Sequence, residues 1–270
     1  MRVYRAGSVT QLTLVALLAL LALSAGCGGA AVPAAREAAS PASPPPAATP
    51  GLPLAGKTVV IDPGHNGGNA SHPEEINRLV DVITGRKPCN TTGTQTDAGF
   101  PEHAFTWDVA GKLRPILEKM GAKVVLTRPN DKGVGPCVTE RAAIGNEARA
   151  DAVVSIHGDG AAPSGHGFHV IMPGLLPGHN DAVVKPSRRL GRAVRDAYRK
   201  GTGMPYANYV ARNGLQTRVD LGGLNLSTQP AIFIECGNMR NPGDAAKMSS
   251  PAFRKRMAAS LAAGVRNFLS

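Results

Sequence analysis

The stretch "KTVVIDPGHNGG" runs from Lys57 to Gly68. Thr58 to Ile61 are β-branched throughout, which suits a buried strand, and Asp-Pro-Gly then forces a turn. His65 and two more glycines follow. Such a strand-end turn can cradle a phosphate, carry a metal ligand or do neither, and its neighbours decide which.

Working outward, strands and helices alternate. The patterning predicts a strand over 57–62, a helix over 103–121 ended by Gly121, and a second strand over 122–128. A helix over 139–150 follows, with Thr139 as its N-cap, and then strands over 151–157 and 167–173. A basic amphipathic helix covers roughly 186–200, a fifth strand 230–237 and a closing helix 251–269. Alternation of this kind gives an α/β fold, a single domain whose mainly parallel, twisted central sheet is covered by helices on both faces. Region 66–101 has little periodicity; a loop that long is ordinarily functional or crosslinked. Region 174–229 reads as the basic helix plus a glycine-rich, substrate-facing loop.

The N-terminal part has a different composition. Arg2 and Arg5 precede the apolar run Leu12–Leu23, and "LSAGCGG" brings Cys27 directly after small residues. Residues 1–26 therefore read as an export signal, too short for a comfortable membrane span. The segment resembles a bacterial lipoprotein signal, in which Cys27 would be lipidated; Ser24 departs from the usual pattern, and a cleaved secretory signal is the alternative. Residues 27–53 are rich in Pro, Ala and Ser and read as a semi-rigid tether. Residues 54–270 are left for the folded domain.

The formal net charge is +11, and removing residues 1–26 takes away two arginines and no acids, leaving +9. A basic exported chain can meet nucleic acid, anionic lipid or anionic wall polymers. Nucleic acid is disfavoured, because the cations are dispersed and only 4% of residues are aromatic. Of the four cysteines, Cys89 and Cys137 lie in loop-like contexts and are paired here as a disulfide. Cys236 falls in an apolar strand and reads as a buried free thiol.

Three side chains able to carry chemistry stand at predicted strand ends: His65 after "VVID", His157 after "AVVSI" and Glu235 after "AIFI". Carboxyl ends of strands form the ligand crevice of open α/β sheets. Glu102, in "GFPEHAF", opens the first long helix. Two His and one Glu with an open position make a catalytic zinc set, and a further carboxylate would serve as general base. The bland readings are a structural histidine and a helix-dipole glutamate. His72, His166 and His179 sit in polar loops, His103 adjoins Glu102 as the competing ligand, and His169 packs within a strand. GxSxG and GxxxxGK[ST] are absent, and "DPGHNGG" lacks GxGxxG spacing. Cys236 is sent by strand alternation to the face opposite Glu235.

"VVIDPGHNGG", "PEHAFTWDVAGKLRPILEKMGAKVVLTR", "ERAAIGNEARADAVVSIHGD" and "QPAIFIECGNMRNPGDAAKM" together resemble zinc-dependent N-acetylmuramoyl-L-alanine amidases of the amidase-3 type, nearest the actinobacterial cell-wall enzymes. The resemblance covers Lys57 to Leu269. It implies that His65, Glu102 and His157 are zinc ligands and Glu235 the catalytic glutamate. It implies a peptidoglycan hydrolase that cuts between the lactyl group of N-acetylmuramic acid and L-alanine. The alternatives are a non-catalytic or regulatory wall-binding module on the same fold, or a zinc carboxypeptidase acting on stem peptides. Expected partners are peptidoglycan and anionic cell-wall polymers, with no nucleic acid. The chain is expected to act as a monomer in the cell envelope, held to the membrane through a lipid on Cys27, or else to be secreted. Gly158 and "NMRNP" depart from residues common in the family. Gly67 and Gly68 are expected to leave room for glycan and peptide.

Overall fold

The computed structural model describes residues 51–270. The signal segment 1–26, Cys27 and nearly all of the 27–53 tether lie outside the described residues. Leu52 is exposed, whereas Leu54 is fully buried and its N–H donates to the Met120 carbonyl at 2.8 Å, which ties the start of the domain to its body.

In chain order the strands are β1 (Thr58–Pro63), β2 (Leu79–Asp81), β3 (Arg86–Pro88), β4 (Lys123–Leu126), β5 (Ala152–Asp159), β6 (His169–Pro173), β7 (Leu215–Arg218) and β8 (Ala231–Asn238). The helices are α1 (Pro73–Asn77), α2 (Glu102–Lys119), α3 (Val138–Glu147), α4 (Asp181–Thr202), α5 (Gly222–Asn225), α6 (Pro242–Ser249) and α7 (Pro251–Leu269). Six strands form one sheet in the order β4-β1-β5-β8-β6-β7. β4, β1, β5 and β8 are parallel; β6 pairs antiparallel with β8 and carries β7 parallel to itself at the edge. The mainly parallel sheet is thus present, with β6 and the edge strand β7 reversed.

Alternation along the central strands assigns the two faces. Val59 and Ile61, Val154 and Ile156, and Ile232, Ile234 and Cys236 are buried in the large core. That core is closed by α2, α4 and α7, which pack on one another. On the opposite face Ile171 and Ala231 of the sheet pack with Leu224 of α5, and α3 lies beside that helix. The Asp62 and Ser155 side chains meet in a hydrogen bond, as neighbours on parallel strands do when they share a face. His157 and Glu235 are direct Cα partners and lie two residues on from this polar pair and from Phe233.

Several boundaries differ from the sequence expectation. α3 begins at Val138, and Glu140 reaches back to the Cys137 N–H at 2.9 Å, so Cys137 occupies the cap assigned to Thr139. α4 starts five residues before the expected position and contains Pro186 in its second turn. Region 174–229 is more than loop, because β7 and α5 lie within it. β7 reads "LQTR", with no apolar alternation to announce it. Region 66–101 holds the β2–β3 hairpin, fixed by a Cys89–Cys137 disulfide over a small cluster of Val80 and Val82. Cys236 is a buried free thiol in the α2/α4/α7 core. Among the described residues, no helix is long and apolar enough to cross a membrane.

Candidate metal centre

The turn after β1 is held by its backbone carbonyls. Two buried arginines collect them: Arg128 Nε donates to Pro63 O at 3.0 Å, and Arg141 donates to Pro63 O at 2.7 Å and His65 O at 2.8 Å. Thr106 Oγ1 donates to Gly64 O at 2.8 Å. Arg141 is in turn paired with buried Asp62 at 2.6 Å, whose carboxylate also accepts from Thr127 and Ser155. The turn leaves His65 at φ +59°, a left-handed conformation that a non-glycine residue adopts only when its surroundings impose it. Gly64 is obligatory for a different reason: a Cβ there would lie 2.2 Å from Cε1 of His157.

The side chains that result converge. His65 Nδ1 donates to the Thr91 carbonyl at 3.0 Å, which fixes the tautomer and leaves Nε2 with a free lone pair. That Nε2 stands 3.1 Å from Glu102 Oε2. Glu102 sits at the first residue of α2, and its two oxygens accept the Thr94 and Gly158 N–H groups at 2.9 and 3.0 Å. Its Oε1 lies 3.0 Å from His157 Nδ1. The His157 ring stacks on Phe233 with centroids 4.9 Å apart, and a register shift between His157 and Asp159 turns the Gly158 N–H onto the carboxylate. One donor atom from each of His65, Glu102 and His157 lies within 4.8 Å of the others.

The electrostatics suit a cation. Burial opposes the Glu102 charge, but the two imidazoles more than offset it and hold the carboxyl well below its usual range. Burial lowers the His65 imidazole, and the Glu102 charge outweighs that and raises it. Two neutral-capable imidazole nitrogens and one oriented carboxylate, each braced by a backbone group or a stacked ring, are the donor set of a divalent metal site. The residues fit.

Glu235 lies beside this cluster, in Cα register with His157. Its Oε2 is buried with no hydrogen-bond partner. Burial pushes the carboxyl well above its ordinary range, aided by the charges of Glu102 and Asp159 and opposed by Arg218. The four residues line one cleft of about 380 Å³, whose wall includes Lys87, Arg218 and Asp220.

The remaining histidines stand apart. His103 pairs with Asp131 at 2.8 Å, so it is not a fourth member despite its neighbour. His72 contacts Gly68 O, and His166 meets Asn208. His169 opens β6 and is buried, and burial pulls its imidazole down to about 4. Gly67 and Gly68 do not face the cleft: Cβ atoms there would run into the Asp131 and Gly133 carbonyls at 2.1 and 2.5 Å. They are small because the 131–133 backbone packs on them, and the expectation that they admit glycan is corrected. Gly158 leaves space filled by Met239 and Met248, and Asn241 of "NMRNP" caps α6, so neither departure alters the cluster. Sequence reasoning missed Arg141, Arg218 and Asp220, which carry no spacing signal.

A three-donor cluster that could hold a metal ion and a buried unpaired carboxylate, set together in a cleft at the carboxyl ends of parallel strands, are the arrangement that metal-assisted hydrolysis uses. Residues 59–267 match the family model described as N-acetylmuramoyl-L-alanine amidase, and the chain belongs to that family. It is 44% identical over 225 residues to the N-acetylmuramoyl-L-alanine amidase Rv3717 of Mycobacterium tuberculosis, covering 83% of this chain and 90% of that one. The crystal structure of the amidase Ami1 from Mycobacterium smegmatis superposes with a TM-score of 0.75 at 42% identity, covering 80% and 98%. Apo Ami1 from Mycobacterium abscessus gives 0.74 at 42%, covering 80% and 99%.

Proposed function

We propose that His65, Glu102 and His157 hold a zinc ion, and that Glu235 is the general base and acid of peptidoglycan amide hydrolysis. The bond cut joins the lactyl group of N-acetylmuramic acid to L-alanine of the stem peptide. The observation that carries this reading is the buried, unpartnered Oε2 of Glu235 beside the three-donor cluster.

When bound, zinc supplies the Lewis acidity that makes water a nucleophile at neutral pH and polarises the lactyl carbonyl. Glu235 takes the proton from the attacking water onto its carboxylate. It then delivers that proton to the departing alanine nitrogen, since an amide leaves poorly as an anion. A carboxyl with a raised affinity for protons suits this shuttle. His65 keeps a lone pair on Nε2, His157 is held by its stack on Phe233, and the Thr94 and Gly158 N–H groups hold the Glu102 carboxylate in place.

Family and relatives support an envelope or extracellular setting, with peptidoglycan as substrate. The finer placement is part of the proposal: signal 1–26, lipid on Cys27, tether 27–53 and catalytic domain 54–270, acting as a monomer that faces the wall. The basic groove of Lys185, Arg188 and Arg192 on α4 supports attraction to anionic wall polymers.

Glu235→Gln keeps shape and volume but cannot accept a proton. It should retain the metal while turnover falls by about 10²- to 10⁴-fold. Wild-type turnover in a metal-loaded Glu235→Gln protein would remove Glu235 from the mechanism.

A further inference from the structure

His169 lies outside the metal cluster, yet it is the direct Cα partner of Glu235 across the β6–β8 ladder. Facing residues of an antiparallel pair send their side chains to the same side of the sheet, with Cβ atoms about 5 Å apart. The register continues through Val170 with Ile234 and Ile171 with Phe233, so a slip that separated the two side chains would break all three pairs. Both strands are also tied to one carboxylate outside the ladder. Asp244 Oδ2 accepts the Gly167 N–H at 2.6 Å and the Asn238 N–H at 3.1 Å.

Each member of the pair carries an unmet polar atom. His169 is 2% exposed, and its Nδ1 has no hydrogen-bond partner among the described residues; Glu235 Oε2 is in the same condition. Buried polar groups are ordinarily paired, and an orphan costs about 1–3 kcal/mol, so two orphans on facing residues call for one account. Their chemistry is complementary. Burial, with Arg218 and against the charge of Asp159, pulls the His169 imidazole down to about 4. The neutral ring has one N–H to give, and a glutamate carboxylate can only accept. The other acid facing His169 is already engaged: Asp159 Oδ1 accepts the Gly160 N–H at 2.7 Å, and Oδ2 accepts the Tyr209 hydroxyl at 2.9 Å. Tyr209 also meets the imidazole edge-on, with ring centroids 6.3 Å apart.

We propose that His169 is the positioning residue of Glu235, its Nδ1–H donating to the carboxylate and fixing the orientation in which that carboxylate takes the proton from water. This rests on the amidase reading, in which Glu235 is the base. Being buried, His169 acts only through Glu235. Its contribution is geometric, since a reacting group displaced by about 1 Å can lose about 100-fold in rate.

The test measures kcat and KM of the metal-loaded full chain on a soluble muramoyl peptide. His169→Leu removes the donor at similar volume and should lower kcat by about 10- to 100-fold, with KM changed by less than about 2-fold and metal content intact. His169→Asn, whose amide nitrogen takes the place of Nδ1, should recover most of the loss. His169→Gln, whose amide nitrogen matches Nε2 instead, should recover little. In a Glu235→Gln background, His169→Leu should cost less than about 2-fold, because no base is left to position. Wild-type kcat in His169→Leu overturns the proposal. So does the full loss persisting in the Glu235→Gln background, which marks a merely structural histidine. Should His169→Leu fail to fold, the Asn and Gln variants decide alone: a higher kcat for Asn supports the role and equal values overturn it. If Glu235→Gln itself keeps wild-type turnover, the reading of Glu235 as base fails and the positioning role falls with it.

Discussion

Arg141, carried by α3, donates Nη2–H to the backbone carbonyl of His65 at 2.8 Å. The same guanidinium holds Asp62 at 2.6 Å and Pro63 O at 2.7 Å, so one buried cation ties the end of β1 to the residue in the left-handed turn. Arg141→Met keeps the volume and removes the donors. It should destabilise the protein by about 3–5 kcal/mol by leaving the Asp62 charge buried and unpaired. It should also weaken metal binding about 10- to 100-fold, because the carbonyl that sets the His65 backbone is released. Denaturant melts and a competitive metal titration read the two effects separately, and unchanged metal affinity would refute the second.

Asp62 gives a pH signature. Burial alone would raise its carboxyl, but the Arg141 charge and the Ser155 and Thr127 hydroxyls outweigh burial and hold it at about 2. A carboxyl depressed in the folded state stabilises the fold fully above its unfolded value near 4, and this contribution drains away as pH falls toward 2. The amount is about 2 kcal/mol. Stability measured from about pH 5 to about pH 2 should therefore fall more steeply in wild type than in Asp62→Asn. Parallel acid limbs would show that the carboxyl is not depressed.

The disulfide closes a sequence separation of 48 residues. Constraining an unfolded loop of that length is worth about 4 kcal/mol. The Cys89→Ser, Cys137→Ser double variant should lose up to that amount, and amide exchange should rise first across the β2–β3 hairpin while β5 and β8 stay protected. Uniform loss of protection would mean that the hairpin is no separate unit.

How much of this was legible in the sequence follows from where the signals live. The buried strands β1, β5 and β8 announce themselves as β-branched runs, and their carboxyl ends give His65, His157 and Glu235 directly. Glu102 was legible as a helix-opening glutamate, and the Cys89–Cys137 pair as two cysteines in coreless loops. β7 was not, because a four-residue edge strand with Gln and Arg on its faces has no hydrophobic period. Arg141 and Arg218 were hidden for another reason. The role of Arg141 depends on carbonyls and a carboxylate brought from as far as 79 residues away, whereas Arg218 pairs with Asp220 only two residues on, and a lone arginine on a helix or strand reads as a solvated charge. Gly67 and Gly68 misled because a small residue beside a ligand suggests space for substrate, while the fold uses both to admit the 131–133 backbone.

The central claim is that this cleft cuts the lactyl–alanine amide. Mass spectrometry of peptidoglycan digested by the metal-loaded full chain tests it most directly. The account predicts free, full-length stem peptides with alanine at the N-terminus and glycan strands carrying unsubstituted lactyl groups, with both products lost on chelation. Stem peptides still joined to glycan but shortened by one terminal residue would contradict it and mark a carboxypeptidase.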